Sequence, residues 1–289
     1  MALEGLLLID KPSGPTSHDV INQLRRLSGI RRIGHAGTLD PLASGLLLVC
    51  VGRATRLLEY LLERPKRYET SIHLGQSTDT FDAQGTVVAE RPVSVTGQDI
   101  EEALIQFRGP IVQYAPAYSA VKKDGVPLYK LARRGLDVER PSREVTIYNL
   151  QLCSWREPVL ELDVTCSSGT YIRSLADDLG NVLGCGGHIN ALRRLEVGSF
   201  SLDQALELGD LDRENWSDFL LPPDTAVDHL PKVEFSPEMA QKLLLGQRVP
   251  GAGMQPSGTP ARAYEAGSRF LGIIIAADQS WQPHKMFVQ

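Results

Sequence analysis

Cysteine is scarce. Only four occur in 289 residues, at Cys50, Cys153, Cys166 and Cys185, with no Cys-x-x-Cys and no paired histidines. This pattern excludes a zinc ribbon and a disulfide framework, and it predicts reduced, mostly buried thiols in a cytosolic protein. Long apolar runs are also missing. Leu46–Val51 and Leu271–Ala277 are too short to cross a bilayer, and Leu6–Ile9 sits behind Glu4 without the basic flank of a secretory signal. Neither phosphate-cradling glycine motif, Gly-x-x-x-x-Gly-Lys-Ser/Thr or Gly-x-Gly-x-x-Gly, is present. Asp79–Gly85 resembles a calcium loop only superficially. Phe81 and Ala83 occupy liganding positions and Gln84 the glycine position, which excludes an EF-hand. The chemistry expected of this chain is therefore free of metal and of nucleotide cofactor.

What is there is an ordinary globular composition, 42% apolar and 22% charged, long enough for one large core and a small satellite domain. The net charge of −5 argues at first against a polyanionic partner. However, residues 201–231 hold eight acids against one base, a local −7, so the remainder is +2. Within that remainder Lys122, Lys123, Lys130, Arg133 and Arg134 cluster against Asp124 alone, and Arg25-Arg26, Arg31-Arg32 and Arg193-Arg194 form basic pairs. Local patches decide whether a polyanion is attracted, so nucleic acid is permitted.

Residues 6–9 read as a buried strand. A helix capped by Thr16-x-x-Asp19 and stopped at Gly29 follows. Gly34–Gly45 reads as a glycine-punctuated loop, Leu46–Val51 as a buried strand and Tyr68–Leu74 as an alternating one. Thr96-x-x-Asp99 caps a second helix expected to end at Gly109. Leu160–Cys166 alternates as a strand, and the turn 167–170 leads into a helix carrying Ile172, Leu175, Ala176 and Leu179. Four prolines between Pro222 and Pro237 suggest a linker, and the tail from Lys232 has the texture of a small β-rich domain, with a turn over Gly251–Pro260. The class is α+β, with a mixed, largely antiparallel central sheet flanked by helices. The boundary is expected between residues 231 and 232.

Two residues are out of place for a purely structural reading. Pro41 pushes Asp40 out of the α region, so its carboxylate is held on a loop; the alternative is an ordinary Asx turn. Arg173 falls in the first turn of its helix, where the macrodipole disfavours a cation unless an anion lies nearby. An ionised Asp40 or a substrate phosphate would supply that anion, and a buried pair would keep the aspartate deprotonated. Tyr68 could stack on a base or take a proton, and His35 could fill space with a flat ring; core packing and a turn position are their structural alternatives.

Together these segments resemble the TruB family of tRNA pseudouridine synthases. The resemblance is carried by Gly5–Ser17 (GLLLIDKPSGPTS), Gly34–Gly45 (GHAGTLDPLASG), Lys66-Arg67-Tyr68, Gly75–Gly85, Tyr118–Lys122, Cys166–Arg173 (CSSGTYIR) and Leu192-Arg193-Arg194, all in order. It implies the pseudouridine synthase fold with a small PUA-like RNA-binding domain over residues 232–289. It implies Asp40 as nucleophile, Tyr68 stacked on the target uracil and Arg173 paired with the aspartate. His35 would occupy the gap left by a flipped base, Tyr171 and Leu192 would line the pocket, and Lys11 and Pro12 would support the loop. The implied reaction is isomerisation of uridine at position 55 in the T loop of tRNA, without cofactor. The implied enzyme is a cytoplasmic monomer of the stand-alone bacterial type rather than the guide-RNA-directed branch, with no obligate protein partner and no membrane. A non-catalytic RNA-binding protein and a metal-dependent phosphoesterase are the rival readings. Tritium release from uracil C5 and sensitivity to a chelator separate them.

Overall fold

A computed structural model describes residues 3–119, 121–123, 125–128, 131, 140–251, 255–267 and 269–287. Asp124, Lys130, Arg133 and Arg134 of the expected basic cluster lie outside it, as do residues 252–254 of the expected turn. Among the described residues no helix is long and apolar enough to cross a membrane.

The chain runs β1 (Gly5–Lys11), α1 (Ser17–Ser28), β2 (Ile33–Ala36), β3 (Ser44–Val51), α2 (Leu58–Leu62), β4 (Lys66–Leu74), β5 (Gln76–Thr78), β6 (Val87–Glu90), α3 (Gly97–Ile105) and β7 (Gly109–Tyr114). Then come β8 (Lys122–Lys123), β9 (Val126–Pro127), β10 (Ser142–Arg156), β11 (Val159–Cys166), α4 (Ile172–Val182), β12 (Gly187–Val197), β13 (Phe200–Ser201) and β14 (Leu206–Glu207). The main sheet has the order β14-β1-β3-β12-β4-β11-β10-β7, with β2 against β3 and β13 against β12. It is mixed: β14 joins β1 and β12 joins β3 in parallel, and its other pairings are antiparallel.

The unbroken apolar runs of β1 and β3 follow from burial on both faces. Side chains alternate across a strand. Leu7, Ile9, Leu47 and Val49 therefore enter one core with α1, α3 and α4, while Leu6, Leu8, Leu46 and Leu48 enter a second. That second core is closed by Ile273 and Phe287 of the tail and by Ala226 and Val227. The tail forms its own five-stranded sheet in the order β15-β17-β18-β19-β16, from β15 (Lys232–Phe235), β16 (Val249–Pro250), β17 (Pro260–Glu265), β18 (Arg269–Ala277) and β19 (Ser280–Met286), with α5 (Pro237–Leu244) packed on it. Both expected capping boxes form, at Thr16/Asp19 and Thr96/Asp99.

Three expectations are corrected. Gly34–Gly45 is not one loop, because residues 33–36 pair with β3 as β2. The second helix stops at Ile105, and Gly109 instead opens β7 with φ +82°. The proline-rich stretch is no free linker: Pro223–Val227 forms a helical turn whose Ala226 and Val227 are fully buried.

Candidate active site

The loop between β2 and β3 carries Asp40, and the turn after β1 pins it. Gly14 donates its N–H to Pro41 O at 2.8 Å and Ser13 Oγ donates to Leu42 O at 3.0 Å. Ser17 Oγ donates to Leu39 O and accepts from Leu39 N–H, at 3.0 and 2.8 Å. Every one of these bonds joins the first sequence motif to residues 39–42, so the carboxylate is carried on a backbone pinned on both sides. Lys11 braces the turn from beneath. It is fully buried, and its ammonium donates to Pro12 O and Pro15 O, both at 2.8 Å. Burial lowers its pKa to about 8, with Asp40 opposing that shift. Pro12 itself is exposed and, like Lys11, lies off the cleft wall.

Arg173 sits in the first turn of α4, and anions do resolve its conflict with the helix dipole. Its Nε lies 2.9 Å from Asp40 Oδ2, and its Nη1 lies 3.4 Å from Asp82 Oδ2. Nη1 also donates to Thr80 O and Nη2 to Tyr118 O, each at 3.1 Å. The guanidinium side chain is only 9% exposed while that of Asp40 is 40% exposed. The arginine is therefore a fixed support and the carboxylate its open end. Asp82, to which the sequence assigns no role within the Gly75–Gly85 segment, is a structural member of the site. It is buried, and its Oδ1 accepts from Thr80 Oγ1 at 2.7 Å and from Gln84 N–H at 3.1 Å.

The electrostatics differ from the simple pairing expected. Burial at the cleft floor pushes the Asp40 carboxyl above its ordinary pKa; Arg173 pulls it back and the neighbouring Asp82 charge pushes it up again. Burial likewise raises the Tyr68 phenol, with Arg194 opposing. Such a phenol is neutral near neutrality.

Asp40, Tyr68, Tyr171, Arg173 and Leu192 line one cleft of about 440 Å³. Tyr68 reaches it from β4 and Leu192 from β12. Tyr171 precedes α4, with its backbone N–H donating to Gln113 Oε1 at 2.9 Å. His35 is separate: it lies on β2, off the described cleft wall, with Nδ1 buried and without a hydrogen-bond partner among the described residues. Burial, reinforced by the Arg194 and His18 charges, lowers its pKa.

Arg194 is a residue that charge counting misassigned. With 1% exposure it is no surface cation; its Nε donates to Leu46 O at 2.7 Å and its Nη2 to Gly37 O at 3.1 Å. Gly45, at φ +99°, lets this strand pass, since a Cβ there would meet Arg194 O at 2.3 Å. Arg193 is tied up as well, 2.6 Å from Asp10 Oδ2. That Arg-Arg pair therefore offers no free basic patch.

Comparison with known proteins adds a family. The family described as "TruB family pseudouridylate synthase (N terminal domain)" matches residues 25–172. "tRNA pseudouridylate synthase B C-terminal domain" matches 173–228, and "Pseudouridine synthase II TruB, C-terminal" matches 231–283. The chain is 46% identical to a tRNA pseudouridine synthase B of Pseudomonas aeruginosa, covering 94% of this chain and 91% of that one. It is 43% identical to the protein of the same name from Aeromonas salmonicida, covering 94% and 89%. Among solved structures it resembles a chain of an H/ACA RNP bound to a substrate RNA containing 2'-deoxyuridine, with a TM-score of 0.75 and 25% identity over 99% of this chain and 85% of that one. With more than half its length matched by the first of these families and near-complete relatives above 40% identity, the chain belongs to the TruB family of pseudouridylate synthases.

Proposed function

We propose that this protein isomerises uridine to pseudouridine in tRNA, at position 55 of the T loop, with Asp40 as the essential carboxylate. The observation that carries the reading is a half-open aspartate 2.9 Å from a buried arginine, at the floor of a cleft walled by Tyr68, Tyr171 and Leu192. The reaction breaks the bond from ribose C1′ to uracil N1, turns the base and joins C1′ to C5. C5 loses a proton and N1 gains one, so nothing is oxidised and no group is imported.

A base stacked in a folded loop cannot reach this floor. The nucleotide must flip out, at a cost on the order of a few kcal/mol. Tyr68 offsets part of that cost by stacking on the uracil, with Leu192 and Tyr171 closing the sides. Asp40 then acts on the extruded nucleoside, by covalent attack or by assisting a glycal-like intermediate. Arg173 orients the carboxylate and stabilises its charged form. Lys11 and Pro12 hold the turn on which the loop rests. His35 serves the duplex side, filling the gap left by the base. The sheet from Lys232 onward acts as a PUA-like RNA-binding unit, and the enzyme works as a stand-alone cytoplasmic monomer on the T arm.

The test uses an unmodified tRNA transcript tritiated at uracil C5. One equivalent of tritium should be released per transcript, and none when the T-loop uridine is replaced by cytidine. Release that ignores that replacement would refute the assigned position, and no release at all would refute the activity.

A further inference from the structure

We infer that Arg143 grips the phosphate beside the extruded uridine, using Tyr171 as its platform; the inference rests on the activity proposed above. The described cleft wall carries four cations, Lys66, Arg143, Arg173 and Arg194, against one carboxylate, Asp40. Three of the four are buried and committed inward. Lys66 donates to Leu62 O, Arg194 to Leu46 O and Gly37 O, and Arg173 holds Asp40 and Asp82.

Arg143 is built differently. It lies near the start of β10, half-buried, with its guanidinium over the Tyr171 ring, 5.1 Å from the centroid. A guanidinium held over a ring face is attracted through its charge without consuming its N–H donors. Among described residues those donors reach one acceptor, Gly169 O, at a long 3.4 Å. Gly169 takes φ +82°, and a Cβ there would stand 2.7 Å from Arg143 Nη1.

The platform is also rigid. Fully buried Gln113 accepts from Tyr171 N–H at 2.9 Å and donates to Tyr171 O at 3.2 Å, and it pairs with Arg143 across β7 and β10. A flipped nucleotide puts its base on the floor and leaves its two flanking phosphates at the rim. A phosphate drawn to this rim needs a cation with donors to spare, and a stacked guanidinium suits it through two parallel bonds.

The test crosses a protein change with an RNA change. T-arm stem-loops carrying a neutral methylphosphonate at one or the other phosphate flanking the target uridine are compared on wild type and Arg143→Gln. On wild type, one of the two should lower kcat/KM by about ten- to hundredfold. Arg143→Gln should be similarly slow on ordinary RNA, indifferent to that methylphosphonate, and less salt-sensitive in binding by a log–log slope of about 0.7–0.9. A variant that still discriminates as wild type does overturns the inference, as does a wild type indifferent at both phosphates. If Arg143→Gln does not fold, Arg143→Lys keeps the charge but loses the stacked fork; it should discriminate less than wild type, and equal discrimination overturns the inference. A wild type that converts no uridine in ordinary RNA refutes the activity instead.

Discussion

Arg67 and Arg173 each hold two carboxylates, and the contrast between them separates an ion pair from a site. Arg67 neighbours Tyr68 on β4 and therefore points to the opposite face of the sheet. It lies 2.8 Å from Asp163 Oδ2 and 2.8 Å from Glu196 Oε1, with 41% of its side chain exposed. Its geometry is the tighter of the two, since one of the Arg173 contacts is 3.4 Å. Yet Arg67 is 41% exposed and stands off the wall of the Asp40 cleft, whereas Arg173 is 9% exposed and its partner Asp40 opens into that cleft. Short distances between opposite charges thus say little about function. A buried cation holding a carboxylate that is itself desolvated but reachable says more.

The comparison breaks first at Asp40. Asp40→Asn should lower kcat for pseudouridine formation by on the order of a thousandfold or more, because the nucleophile is removed rather than misplaced. The same change should not lower the melting temperature. The folded state raises the Asp40 pKa, so between the unfolded and folded values it binds the proton more tightly than the unfolded chain does; above them, the ionised carboxylate costs stability that a neutral amide does not. A variant that lost activity only by unfolding would defeat this assignment. Next comes Arg173→Lys, with an expected loss on the order of a hundredfold, since a point charge cannot hold Asp40, Asp82 and two carbonyls in one plane. Near-wild-type kcat would remove the claim that the fork positions the nucleophile.

Much of this site was legible in the chain. Asp40 before proline, an arginine on the wrong end of a helix and the two Thr-x-x-Asp caps were local signals, and each states its physics within a few residues. What was hidden depends on tertiary contact. Asp82 looked like debris of a calcium loop because its partner lies 91 residues away, brought close only when this segment bridges to Ile189. Arg194 looked like a surface cation because nothing local tells a buried arginine from an exposed one; the parallel pairing of β12 with β3 buries it. The strand β2 was masked by Gly34 within it and Gly37 just after it, and the helical turn 223–227 by prolines that punctuate a packed segment as readily as a free one.

Asp82→Asn sharpens the comparison at intermediate size. One anchor of Arg173 is lost, and kcat should fall by about tenfold, within the usual range for a buried charge-assisted bond. The pH profile supplies the sign. The Asp82 charge pushes the Asp40 pKa up, so its removal lets Asp40 ionise at lower pH. The acid limb of kcat/KM should then move to lower pH even as the plateau drops. A limb that stays or moves upward would show that the Asp82 charge does not raise the Asp40 pKa.

Glu196→Gln is the matching change at Arg67 and should do least. It too removes the second carboxylate of an arginine, but both side chains of that pair are 41% exposed. Water and salt already screen the interaction, and Asp163 remains to hold the guanidinium. Stability should fall by about 0–1 kcal/mol, less at high salt, and kcat and KM should stay within about twofold of wild type. A large catalytic loss here would mean that the reverse face of β4 communicates with Tyr68 through the strand they share. The cleft would then no longer be separable from the surface ion pairs behind it.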